Sequence, residues 1–100
     1  MRVTFRTTKL EKCYRKLANG EREWNPQVAR RYIERINLLK ATAKLGDLPT
    51  GLPYRYHVLK YDKKGRHCLY LTREWWRLEF TVETEDPLTV RIEKVSKHYD

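Results

Sequence analysis

The sequence predicts an α+β fold: a short opening strand, two consecutive helices, then an antiparallel β-meander, with both helices on one face of the sheet. Three observations predict it. Apolar side chains recur twice at helical spacing in the first half, at Leu10, Cys13, Tyr14 and Leu17 and again at Val28, Ala29, Tyr32, Ile33, Ile36 and Leu39. In the second half the period falls to two: Trp76, Leu78, Phe80 and Val82 alternate with Arg77, Glu79 and Thr81, and Leu88, Val90 and Ile92 with Thr89, Arg91 and Glu93. Between the halves, Pro49, Gly51 and Pro53 make a loop that no helix crosses.

Each element has its own signal. Val3–Phe5 is β-prone. Thr8-Lys9-Leu10-Glu11 reads as a capping box that starts the first helix, and Asn19-Gly20 is expected to end it. Asn25-Pro26 starts the second, with Pro26 at its first position, and Gly46-Asp47 is expected to close it. Arg30, Arg31, Glu34 and Arg35 are expected on its polar circumference. Strands follow at Tyr54–Lys60 and His67–Leu71, joined by the turn Asp62-Lys63-Lys64-Gly65. Thr72-Arg73-Glu74 is a short connection, and Glu85-Asp86-Pro87 is the turn before the last strand. Strand parity puts Trp76, Leu78, Phe80 and Val82 against the helices and Arg77 and Glu79 on the open face.

A chain of 100 residues is expected to form one domain, residues 1–100, without repeats or linkers. Three Trp, seven Tyr and two Phe argue against disorder. No apolar run approaches the roughly 18 residues of a membrane span, and the first residues lack an apolar signal core, so a cytoplasmic location without membrane contact is expected. Cys13 and Cys68 belong to no CxxC pair and are expected as reduced thiols. With three His at no zinc spacing, neither a metal nor another cofactor is expected.

The charge points to a polyanion. Lys and Arg number 22 against 13 Asp and Glu, a net +9. Residues 1–50 carry +7 and residues 51–77 carry +5, whereas residues 78–100 carry −3. Two basic blocks beside an acidic edge suit a nucleic-acid-binding face.

Three groups are candidates for chemistry. His57, at the end of a strand near Lys60, Lys63, Lys64 and Arg66, can move a proton near neutral pH beside cations that neutralise phosphate charge; the alternative is a strand histidine with its hydrogen bond satisfied. Arg77 is a mid-strand cation on the open face, suited to a phosphate by its two-pronged guanidinium or else engaged in an ion pair with Glu79 or Glu93. His98 and Tyr99 are either a frayed tail or a proton donor and stacking ring. Of the three Trp, parity makes Trp76 core and leaves Trp75 as the indole to test for base contact. Arg30, Arg31, Arg35, Lys63, Lys64, Arg66 and Arg73 complete the expected RNA-binding set. There is no GxGxxG, P-loop or nucleophile elbow.

The segment His57-Val58-Leu59-Lys60, then Lys64-Gly65, Leu69-Tyr70-Leu71 and Trp76-Arg77-Leu78-Glu79-Phe80 resembles the HigB-type killer toxins of the RelE/ParE superfamily. The likeness runs over essentially the whole chain, since the helical first half, Asp47-Leu48-Pro49 and Val90–Tyr99 also fit. Val58 stands for the family's Pro and Tyr61 for a usual Gly. Arg73-Glu74-Trp75 replaces a small turn, and the end reads His98-Tyr99-Asp100 where Asp-Tyr-His is common.

The resemblance implies a RelE/ParE-like fold and the toxin of a type II toxin–antitoxin system, a ribosome-dependent mRNA endonuclease (mRNA interferase). In that chemistry the mRNA's own 2′-hydroxyl attacks the adjacent phosphate. The implied partners are the ribosome, mRNA and a neutralising antitoxin, HigA-like with a helix-turn-helix. By the resemblance His57, Lys60 and Arg77 match catalytic positions, with His98 and Tyr99 near the terminal pair. Two other readings remain: a ParE-like gyrase-inhibiting toxin, and a basic RNA-binding module without enzymatic activity.

Overall fold

The computed structural model describes residues 1–59 and 65–97. The chain runs through β1 (Arg2–Phe5), α1 (Thr8–Arg15), α2 (Leu17–Glu23), α3 (Pro26–Ala41), a 3₁₀ turn at Leu45–Asp47, β2 (His57–Val58), β3 (His67–Tyr70), β4 (Trp76–Glu85) and β5 (Leu88–Lys97). The α+β class and element order are as expected, but the helical part has three helices.

The extra helix comes from an early break. Thr7, one residue before the expected cap, accepts the Leu10 amide at 3.1 Å and starts α1. Lys16 then turns extended, with φ −141°, and a second helix begins at once. Asn19 and Gly20 therefore lie inside α2 and do not end a helix. Gly20 is buried because α2 crosses α3 there; a Cβ on it would sit 2.9 Å from the Cβ of Ala29.

Asn25 caps α3 as expected, accepting the Val28 amide at 2.9 Å, with Pro26 first in the helix. The helix ends at Ala41, before Gly46-Asp47, where the Thr42 hydroxyl donates to the Leu38 carbonyl at 2.7 Å.

The five strands order β1-β5-β4-β3-β2. β2 to β5 form the antiparallel meander, and β1 joins parallel to β5. The helices cover one face. Leu10, Cys13, Val28, Tyr32, Ile36 and Leu39 from the helices meet Leu69, Leu78, Phe80, Val90 and Ile92 from the sheet in a single core. Trp76 and Val82 pack against it, as parity required.

The β4–β5 pairing shifts between Glu79↔Lys94 and Phe80↔Ile92, so Glu93 is an extra residue in β5. The bulge reverses parity, and Val95 follows Ile92 onto the core side.

The strand expected over Tyr54–Lys60 is shorter. Tyr54 and Arg55 both donate their amides to the Gly51 carbonyl, and Arg55 takes a left-handed φ of 44°. That local turn interrupts the regular ladder, leaving His57–Val58 as β2, although the Tyr54 carbonyl still accepts the Tyr70 amide of β3 at 2.7 Å.

Candidate functional site

The open face of the sheet is ordered by strand register. His57 pairs with Cys68, Cys68 with Glu79, and Glu79 with Lys94, a row across four strands. The adjacent row is Tyr70, Arg77 and Ser96. His57 and Arg77 thus lie on one face, separated by one strand; β2 and β4 are about 10 Å apart at ordinary strand spacing.

Glu79 is the hinge of this face. Its side chain is fully shielded from solvent, yet it accepts from Arg66 Nη1 at 2.9 Å, Arg77 Nε at 3.2 Å and Ser96 Oγ at 3.1 Å. A buried carboxylate held by two guanidiniums satisfies the rule that buried charge is paired. The Arg77 bond uses Nε, and its side chain keeps 16% of its surface exposed to solvent. One carboxylate against two arginines leaves net positive charge here.

His57 is oriented by its backbone. Its Nδ1 lies 2.8 Å from the Arg55 carbonyl oxygen. A carbonyl only accepts, so Nδ1 carries the proton and the neutral ring presents Nε2 as a proton acceptor. The ring meets Tyr70 edge-on at 6.0 Å.

The remaining candidates divide by position. Lys60, Lys63, Lys64, His98 and Tyr99 lie outside the described residues. Arg30 is exposed on α3 as expected. Arg35 is not on that polar circumference: its side chain is 2% exposed and points under the loop, with Nε donating to the Tyr70 carbonyl at 2.9 Å and the guanidinium 4.4 Å over the Tyr54 ring. A buried Arg35 has no surface to offer RNA, and the expectation that it contacts RNA is corrected accordingly. Its role is to tie α3 to β3. Arg31, Arg73 and Trp75 line one cleft between α3 and the β3–β4 turn.

Arg55, Tyr70 and Glu79 were not among the sequence candidates. Glu79 was legible only as an ion-pair partner for Arg77; nothing in its alternating strand signals full burial. Arg55 enters through a backbone turn that has no sequence signature.

Burial governs the other titratable groups. It pushes the Cys68 thiol up to about 12, with the Arg77 charge opposing and Glu79 adding to the rise, so Cys68 is a poor nucleophile although it faces the site. Cys13 is raised likewise, and both thiols are free. His67, grouped with Tyr56 and Phe80 in a triangle of rings, is pushed below its usual value by burial, and its Nδ1 lies in hydrogen-bond contact with the Tyr56 hydroxyl at 2.8 Å.

The chain resembles known proteins in its fold. Two solved structures superpose over nearly its whole length. The YoeB dimer from Staphylococcus aureus is 16% identical, with 99% of this chain and 98% of that one covered at a TM-score of 0.61. The YoeB/ParE toxin from Agrobacterium tumefaciens is 17% identical, covering 99% and 100% at 0.62. The fold is that of the YoeB/ParE toxin structures. No protein-family model and no curated protein matches the chain. Among the described residues no helix is long and apolar enough to cross a membrane.

Proposed function

We propose that this chain is the toxin of a type II toxin–antitoxin system and a ribosome-dependent mRNA endonuclease of the HigB type. The observation that carries the reading is the open sheet face, where the acceptor nitrogen of His57 and the guanidinium of Arg77 share one side. The motif order from His57 to Phe80, the +9 charge and the fold likeness support it.

The roles follow from the chemistry. His57 Nε2 takes the proton of a 2′-hydroxyl as that oxygen attacks the adjacent phosphorus. Arg77, with Lys60, balances the charge gathering on the phosphate oxygens. The P–O5′ bond breaks, the leaving oxygen takes a proton from His98 or Tyr99, and a cyclic phosphate remains. Arg30 on α3, with Lys63 and Lys64, is assigned to ribosomal RNA. The partner is an antitoxin, HigA-like in this reading, and the site of action is the translating ribosome in the cytoplasm.

The test is primer extension on an mRNA translated in a purified system, with and without the protein, beside a lane lacking ribosomes. Cuts at in-frame codons that require ribosomes are expected. No cuts with folded protein overturns the nuclease and leaves gyrase supercoiling as the next assay. Cuts without ribosomes overturn the ribosomal part alone.

A further inference from the structure

A cleft of about 800 Å³ opens between the first turns of α3 and the β3–β4 turn and meets the sheet at Tyr70. Arg31, Arg55 and Arg73 supply three cations to its wall against the single carboxylate of Glu74, and Tyr70 and Trp75 supply rings. Trp75 is 45% exposed, so its indole is reachable from solvent. It meets Tyr70 in a T-shaped contact with ring centroids 6.0 Å apart.

Two further features set this cleft apart. The positive-φ residues other than glycine among the described residues are Arg55, at 44°, and Trp75, at 70°, and both line it. Left-handed backbone at bulky residues costs energy and collects at ligand clamps. Here it holds Arg55 5.2 Å over the Tyr70 ring, with Nη1 donating to the Tyr70 hydroxyl at 3.3 Å, and displays the Trp75 indole. Behind Tyr70 lies Arg35, whose Nη2 is buried without a hydrogen-bond partner among the described residues. Its nearest carboxylate, on exposed Glu34, is 3.8 Å away. A buried cation so weakly balanced adds positive potential at the cleft wall.

We propose that this cleft is a nucleotide subsite: one unpaired nucleotide of an RNA stacks its base on Trp75 and sets its phosphate between Arg55 and Arg73, beside Arg31. The proposal rests on the reading that the protein acts on RNA and adds where a nucleotide flanking the cut is held. His57 touches the same Tyr70 ring from the sheet side, so the two positions are contiguous. Aromatic stacking with flanking cations is the general recipe for single-stranded RNA.

The probe is a fluorescein-labelled hexariboadenylate, titrated onto the intact protein at low salt and read by anisotropy, with Trp quenching as a second readout. Trp75→Ala is expected to weaken binding by roughly tenfold or more and Trp75→Phe by much less, as stacking requires. Arg73→Gln is expected to lower the slope of log affinity against log salt by about one. Both substitutions are in an exposed turn, and circular dichroism checks the fold. Wild-type affinity and salt slope in Trp75→Ala and Arg73→Gln overturn the subsite, as does absence of binding by the wild type. Ribosome-dependent cleavage by wild type with Trp75→Ala binding unchanged removes the subsite and keeps the nuclease. Trp75-dependent binding without any cleavage does the reverse.

Discussion

The Glu79 carboxylate, wholly shielded from solvent in mid-strand, accepts a 2.9 Å hydrogen bond from Arg66 Nη1 across the neighbouring strand. With the bond from Arg77 Nε it makes one anion the anchor for two cations on the open face. Removing it leaves two guanidiniums repelling each other in a partly dry site. Breaking a buried pair from one side costs about 3–5 kcal/mol, and the solvent access of the two arginines lowers that here to about 2–3 kcal/mol. Glu79→Ala is therefore expected to lose that much stability in urea unfolding, and Glu79→Gln distinctly less because its oxygen still accepts. Equal losses for the two variants would mean that charge, not hydrogen bonding, decides.

Arg35 and Arg30 stand five residues apart on α3 and are expected to behave oppositely. Arg35→Ala removes a buried stem, the bond to the Tyr70 carbonyl and the contact with Tyr54, at a cost of about 3 kcal/mol. Arg35→Met keeps the volume and removes the buried charge, so it is expected to cost less. Arg30→Ala is exposed and is expected to change stability by no more than about 0.5 kcal/mol. Thermal unfolding of the three variants makes the comparison; a stable Arg35→Ala protein would contradict the burial.

These pairs show where sequence reasoning reaches and where it stops. Periodicity placed Leu78 and Phe80 in the core and Arg77 on the open face, because burial of one sheet face is written directly into alternation. It could not place Arg35, since an arginine among Arg30, Arg31 and Glu34 looks like solvent surface until the loop carrying Tyr54 folds over it. Gly20 followed Asn19 as a helix end does, and only the crossing of α3 reveals that its missing side chain serves packing. Lys60, His98 and Tyr99 rest on resemblance, as they lie outside the described residues.

Acid is expected to weaken the fold in two stages. Burial holds His67 below its ordinary value of 6.5, so the unfolded chain takes up a proton first. The stability from keeping this ring neutral is complete above about 6.5 and is lost as pH falls from there toward the folded value. His67→Gln, which still offers Tyr56 a hydrogen-bonding side chain, is expected to flatten stability between pH 7 and 5. Glu93 acts lower. Burial pushes its carboxyl up, but hydrogen bonds from Thr81 and Arg91 outweigh that and hold it below 4.5. Its contribution is present above 4.5 and disappears as pH drops through the folded value. Thr81→Val is expected to move that second loss to higher pH. Unfolding midpoints measured in urea across pH 3–8 separate the two stages.

Gly20→Ala sets helix propensity against packing. In an open helix the change would stabilise by up to about 1 kcal/mol. Here the new methyl meets Ala29 Cβ at 2.9 Å and Ala29 Cα at 3.3 Å, and the latter is backbone of a sixteen-residue helix that does not yield easily. Trp24, at 3.4 Å, closes the remaining side, and it is itself packed on Tyr32 at 4.9 Å. Overpacking of this kind costs about 1–3 kcal/mol, which exceeds the propensity gain. The variant is expected to be destabilised by about 1–2 kcal/mol, with α2 displaced from α3. Pairing it with Ala29→Gly opens the same space from the other helix. Chemical denaturation of the double variant is expected to show that substituting Ala29 costs less in the Gly20→Ala background than alone, a coupling that additive effects would not produce.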